Sequence, residues 1–166
     1  EWKIKSGEII PYTESADKLP AISKYYDYDE GAPGKSAQSN GITCIYRYAE
    51  VLLMYAEAST RATNSVNQDA LNAIQEVQKR AGYQDRQIEL TTTTEPTAFL
   101  PAVSNERGWE FFAEMKRWFE LVRLEKVKEV RAEEWDASTF NTNHHYYFPV
   151  PYQQVDLAGW TNNAGY

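Results

Sequence analysis

The feature that most constrains this chain is the run Tyr46-Arg47-Tyr48-Ala49-Glu50-Val51-Leu52-Leu53-Met54-Tyr55-Ala56-Glu57-Ala58, which reads as a helix apolar almost all the way round. At about 100° per residue, Arg47, Glu50, Glu57 and Arg61 fall within roughly a quarter of the circumference, while Tyr48, Ala49, Val51, Leu52, Tyr55 and Ala56 cover the rest. Such a helix has to be buried between neighbours. A second helix follows at once: Val66, Ala70, Ala73, Ile74, Val77 and Ala81 line one face, opposite Asn67, Asp69, Asn72, Gln75, Glu76 and Gln78. Ser65 with Gln68 three residues later reads as a capping box, and Lys79-Arg80-Ala81-Gly82 puts cations in a last turn that glycine ends. The pattern predicts an αα-hairpin over residues 43–82. Its length is close to one tetratricopeptide-style repeat of about 34 residues, although the usual consensus residues are not matched and no second copy is present. A unit of this kind either packs on the remainder of its chain or belongs to a larger stack.

The run from Tyr46 to Ala58, followed by Ile74 to Gly82, resembles the R-Y-A-E-x-L-L-x-Y-A-E-A and R-A-G signature of the SusD/RagB family. Three further blocks resemble it in the same order. Glu106-Arg107-Gly108-Trp109-Glu110-Phe111 through Arg117-Trp118-Phe119-Glu120-Leu121-Val122-Arg123 is similar to its E-R-R-x-E-F and R-W-x-D-L-x-R blocks. Tyr147-Phe148-Pro149-Val150-Pro151 is similar to its F-P-I-P, and Asn162-Asn163-Ala164-Gly165-Tyr166 to a terminus reading Q-N-P-G-Y. Gly108 stands in place of an arginine, Met115-Lys116 in place of an acidic residue and glycine, and Glu120 in place of aspartate. Without that glycine, the helix propensities allow one uninterrupted helix from about Asn105 to Val122.

The resemblance implies surface lipoproteins of the outer membrane that capture nutrients, usually glycans, beside a SusC-like TonB-dependent transporter. Family members are several times longer, so it also implies that these residues form a carboxy-terminal portion. The residue pattern itself predicts a mainly α fold: the tetratricopeptide-like hairpin plus a third long helix, with extended and loop-rich segments around it. The amino end, Glu1-Trp2-Lys3-Ile4, has no basic n-region, apolar h-region or lipobox cysteine, so on this reading membrane attachment comes from another segment or a partner.

We read the chain as a single domain. Residues 1–40 are mostly extended and loop, with little regular structure expected; 43–82 are the hairpin; 97–130 are helical; 131–166 are loop and extended tail. Residues 84–96 read as a threonine-rich surface loop, with Pro101 in an opening turn of the third helix. Prolines 149 and 151 forbid a central strand near the end. The formal charge of −7, without a basic block, argues against nucleic acid as a partner. The single cysteine, Cys44, precedes an apolar helix and reads as a buried small residue.

On a continuous third helix, Glu106, Glu110, Glu114, Arg107 and Arg117 share one face and Phe111, Phe112, Met115, Trp118, Phe119 and Val122 the other. Two such glutamates could be read as the acid and base of a glycan-degrading enzyme. Carboxylates stacked along one helix, however, point the same way instead of facing each other across a substrate, and interleaved arginines keep them ionised. We therefore expect a structural ion-pair network of Arg47, Glu50, Glu57, Glu106, Arg107 and Glu110, with Arg47 paired to Glu106 or Glu110, and Glu50 or Glu57 paired to Arg107. An open, ligand-sized hollow framed by those side chains would contradict a purely architectural role.

Adjacent His144 and His145 point to opposite faces if extended, and Asp27, Asp29 and Glu30 lack the glycine and distal glutamate of a calcium loop, so neither a metal nor another cofactor is called for. Flat rings suit sugar stacking. Trp109, Phe111, Phe112, Trp118 and Phe119 read largely as core, leaving Trp2, Tyr25, Tyr26, Tyr28 and Trp160 as candidate ligand contacts.

Overall fold

The computed structural model describes residues 2–5, 8–14, 22, 24, 44–130 and 146–166. The readings made for Tyr25, Tyr26, Tyr28, the acidic cluster at 27–30, the connection at 131–145 and the histidine pair therefore lie outside the described residues. The described residues are mainly helical and fall into two compact units, 1–114 and 115–166.

The first unit opens with an antiparallel pair, β1 (Trp2–Lys5) and β2 (Glu8–Pro11), in which Trp2 faces Pro11 and Lys5 faces Glu8. The pair lies in the stretch read as mostly extended and loop and adds strand pairing to it, while most of residues 1–40 lie outside the described residues. A short 3-10 turn follows at Tyr12–Glu14.

The predicted hairpin is α1 (Tyr48–Thr63) and α2 (Gln68–Arg80). Asn64 ends α1 in the left-handed region at φ 48°, which asparagine tolerates better than most residues. The cap of α2 is Asn67, whose Oδ1 accepts the Ala70 N–H at 2.7 Å. Ser65 instead donates to the Thr63 hydroxyl, so the predicted capping box is displaced by the asparagine two residues on. Gly82, at φ 77°, ends the helix as its position after Lys79-Arg80 requires.

Leu53, Ala56, Ala70, Ala73, Ile74 and Val77 form the core with Phe99 and Val103 of the third helical segment and with Phe111 just after it. That segment, α3 (Pro96–Glu110), begins at Pro96, where a missing N–H is harmless; Pro101 lies inside the helix and not in its opening turn. The threonine-rich stretch before it is tied to α2. Gln78 donates to Thr91 Oγ1 at 2.9 Å and accepts the Thr91 N–H at 2.9 Å, while Gln75 donates to the Thr91 carbonyl at 2.8 Å.

The third helix is not continuous. α3 stops at Glu110, a turn spans residues 111–115, and both Ala113 and Met115 take positive φ values of 64° and 59°. Met115 thus adopts the backbone that a glycine favours, despite its helix propensity.

The second unit contains α4 (Arg117–Arg123), α5 (Val127–Val130) and α6 (Tyr152–Ala158). Helix α6 lies in the stretch read as an extended tail: Pro151 precedes it, and Gly159, at φ 69°, ends it. The terminal motifs are stitched together here. Asn162 Oδ1 accepts the Val150 N–H at 2.8 Å, Asn163 donates to the Phe148 carbonyl at 2.6 Å, and the Tyr166 hydroxyl donates to the Tyr147 carbonyl at 3.1 Å. Phe148 also meets Trp118 of α4 as a tilted ring pair, 6.3 Å between centroids.

Candidate functional site

The densest chemistry lies where α3 ends. A helix carboxy-terminus leaves carbonyls without partners and carries partial negative charge, so it attracts cations. Two arrive from distant parts of the first unit. Lys24 Nζ donates to the Glu110 and Phe112 carbonyls at 2.9 and 3.0 Å, and Arg47 Nη2 donates to the Glu110 carbonyl at 2.8 Å.

The same cations clamp two carboxylates whose side chains are each only 7% exposed. Arg47 Nη1 reaches Glu110 Oε1 at 2.5 Å, while its Nε and Nη2 reach the Glu114 oxygens at 3.0 and 2.8 Å. Lys24 adds a bond to Glu114 at 2.7 Å, and Arg80 at the end of α2 adds one to Glu110. The Phe111 ring beneath is flanked by two guanidiniums, Arg47 at 4.8 Å and Arg107 at 5.3 Å from its centroid. Burial opposes ionisation of Glu114, but hydrogen bonds from Arg47 and Lys24, with their charges, outweigh it and hold its carboxyl below the usual range. For Arg47, burial disfavours the cation; its bonds to Glu114 and Glu110 more than offset this and raise its pKa.

Of the remaining network residues, Glu50 lies 3.7 Å from Arg107 Nη2, and Glu57 accepts from Arg61 Nε at 2.8 Å, one turn along α1. Of the expected pairs, those seen are Arg107 with Glu50 and Arg47 with Glu110. Glu106 is almost fully buried and accepts from Tyr83 Oη at 2.8 Å and Gln78 Nε2 at 3.1 Å. Burial first, then the Glu106 bond and charge, push the Tyr83 phenol well above its ordinary value. Arg117 belongs to the second unit, where it pairs with Glu120 at 3.3 Å.

These side chains do not close over one another. Lys24, Cys44, Arg47, Arg80, Trp109, Glu110 and Glu114 line an open hollow of about 420 Å³, within the range of small-molecule sites. This corrects the expectation of a purely architectural role: Arg47, Glu110 and Glu114 pair with one another and also wall an open, ligand-sized hollow. Two residues change role accordingly. Trp109, expected in the core, is 65% exposed, and Cys44, expected to be buried, is exposed at the same hollow. Phe112, Met115 and Phe119, placed on one apolar face by the sequence reading, are also exposed. Arg80 was read only as a helix-end cation, and Lys24 was missed altogether: Lys24 is 86 residues from Glu110, and no local periodicity encodes that contact.

Trp160, in the second unit, is exposed. For Trp2 only the backbone, in β1, is described. No group of three or more His, Cys, Asp or Glu among the described residues could hold a metal, and no described helix is long and apolar enough to cross a membrane.

The whole chain, residues 1–166, matches the SusD family. The chain belongs to that family. It is 29% identical to SusD-like protein P2 of Formosa agariphila, the match covering 98% of this chain and 34% of that protein. SusD-like protein P25 of the same organism is 27% identical, over 84% of this chain and 26% of its own length. Among solved structures, a SusD superfamily protein from Parabacteroides distasonis superposes with a TM-score of 0.69 at 28% identity, covering 84% of this chain and 30% of that one. A SusD homolog from Bacteroides thetaiotaomicron gives 0.62 at 29% identity, covering 74% and 26%. The chain thus spans about a third or less of the relatives it matches.

Proposed function

We propose that this SusD-family chain is part of a non-catalytic nutrient-capture lipoprotein of the outer membrane, partnered with a SusC-like TonB-dependent transporter. Its ligand is a neutral glycan, and the hollow at the end of α3 is one place where a sugar ring rests. The observation that carries this reading is the division of labour in the hollow. Its Lys24 and Arg47 donors are taken up by Glu110, Glu114 and carbonyl oxygens, while Trp109 presents an open ring. Flat C–H faces stack on such a ring, and sugar hydroxyls find the exposed remainder of the Arg80 guanidinium. An acidic sugar would have to displace Glu110 or Glu114 from its partners, which disfavours it. Trp160 and Trp2 remain further candidate contacts.

The same geometry disfavours a glycan-degrading enzyme. A general acid must hold a proton near neutral pH, and Glu114 is shifted the other way. Glu110 is gripped by two guanidiniums. The test is to incubate the complete protein with a panel of neutral oligosaccharides, measuring heat of binding and release of reducing ends together. Binding without release is expected. Release that disappears in Glu110→Gln would overturn the reading in favour of the enzyme.

A further inference from the structure

The hollow at the end of α3 holds a carboxylate that is only half used. An ionised carboxylate offers about four acceptor positions shared between its oxygens. On Glu110, whose side chain is only 7% exposed, the donors converge on Oε1: Arg47 Nη1 at 2.5 Å, and Arg80 Nη2 beside it. Among the described residues no donor reaches Oε2. That oxygen is not sealed in either, so it opens to solvent from a residue that lines the hollow. Glu114 differs, because Arg47 engages both of its oxygens, at 2.8 and 3.0 Å. Arg80 supplies the matching open donors. Its side chain is 61% exposed and makes one bond among the described residues, so most of its N–H groups stay unmet next to Oε2. Lys24 has none to spare, its ammonium being held by the Glu110 and Phe112 carbonyls and by Glu114.

An open acceptor beside an open donor calls for a group that is both. A carboxylate or sulfate would face the ionised Oε2, and an ammonium would enter a lining in which Lys24, Arg47 and Arg80 outnumber Glu110 and Glu114. A trans amide points its N–H and C=O in opposite directions and cannot serve two neighbours on one side. Two hydroxyls on adjacent ring carbons serve both. Taking the hollow as a resting place for a sugar ring, on which this depends, we propose that Glu110 Oε2 and the Arg80 guanidinium together select an unsubstituted vicinal diol. One hydroxyl donates to the carboxylate oxygen, its neighbour accepts from the guanidinium, and the C–H face of the same ring lies on Trp109. Blocking either hydroxyl strands a charged group, and that is how a polar site rejects an analogue. The substrate class is therefore a glycan whose rings keep neighbouring hydroxyls free, as at O2 and O3 of 1,4-linked chains. Chains linked or acylated at O3 are rejected.

The test is calorimetric binding of cellohexaose, mannohexaose and maltohexaose to the complete protein, each sugar unmodified, methylated at O6, or methylated at O2 and O3. A hexaose that binds should tolerate the O6 methyls, which add bulk away from the diol, and bind about 100-fold more weakly with O2 and O3 blocked, roughly tenfold for each bond lost to a charged partner. Arg80→Met keeps the side-chain stem and leaves Glu110 on Arg47. In that variant the preference for the free diol should shrink to about tenfold, with the unfolding midpoint near that of the wild type. Equal binding of the O2,O3-methylated sugar, or a full preference retained in Arg80→Met, would overturn the diol proposal and leave sugar capture standing. Binding of none of the three hexaoses would overturn the capture reading itself, and the diol with it.

Discussion

Replacing Arg47 by alanine removes the hub of the first unit, and the structure sets the size of the effect. The guanidinium holds two nearly buried carboxylates, Glu110 and Glu114, and one end-of-helix carbonyl, and it lies over Phe111. Removing one partner from a buried pair costs about 3–5 kcal/mol, because the remaining charge loses its compensation. Here Arg80 still reaches Glu110 and Lys24 still reaches Glu114. Those partners are more exposed, and each offsets at most ~1 kcal/mol. Loss of the cation–π contact adds roughly 0.5–1 kcal/mol in the other direction. The expected loss is therefore about 3 kcal/mol. With a urea dependence of ~2 kcal/mol per molar, the unfolding midpoint should fall by about 1.5 M, followed in parallel by tryptophan fluorescence and far-ultraviolet circular dichroism. Arg47→Lys keeps the charge but not the forked geometry, and should lie between the two. An alanine variant with the wild-type midpoint would refute the reasoning: the ion pairs would then be ornaments of a unit stabilised by its apolar core alone.

Two more perturbations probe the same unit. Glu114 is held below its unfolded pKa, so its contribution is complete above about pH 4.5 and is lost as pH falls through the folded value. The urea midpoint should drop on acidification below about pH 4.5, and more steeply in the wild type than in Glu114→Gln; parallel curves would remove Glu114 from the account. Gln78→Ala takes three bonds from Thr91 and the buried Glu106, and should cost on the order of 2–3 kcal/mol, with faster amide exchange at Thr91; unchanged exchange there would break the link between α2 and the loop.

The hairpin was legible because its signals are local. Alternation at helical period, cations in the last turn and Gly82 all lie within one or two turns of what they specify. What was not legible depends on partners far along the chain. Propensity favours a helix through Met115, yet Ala113 and Met115 both turn left-handed where Glu114 folds back onto Arg47 and Lys24, contacts 67 and 90 residues apart in sequence. Once the helix stops at Glu110, the 100° rule no longer says where Phe112 or Phe119 points. Trp109 was misread for a different reason: a tryptophan among aromatics resembles core in composition, and only its place at the hollow separates it. The amino-terminal pair and α6 were local features passed over, since Ser6-Gly7 is a turn-type dipeptide and Pro151 and Gly159 bracket a helix.

The central claim is that the carboxylates hold the hollow in shape while Trp109 meets the sugar. Its most direct test is fluorine magnetic resonance of the complete protein labelled with 5-fluorotryptophan, the Trp109 line assigned through Trp109→Phe. Titration with a neutral oligosaccharide that binds should shift the Trp109 line in proportion to occupancy, with no reducing ends formed. A Trp109 line that stays fixed while the sugar binds, or one that shifts only as the sugar is cleaved, would contradict the claim.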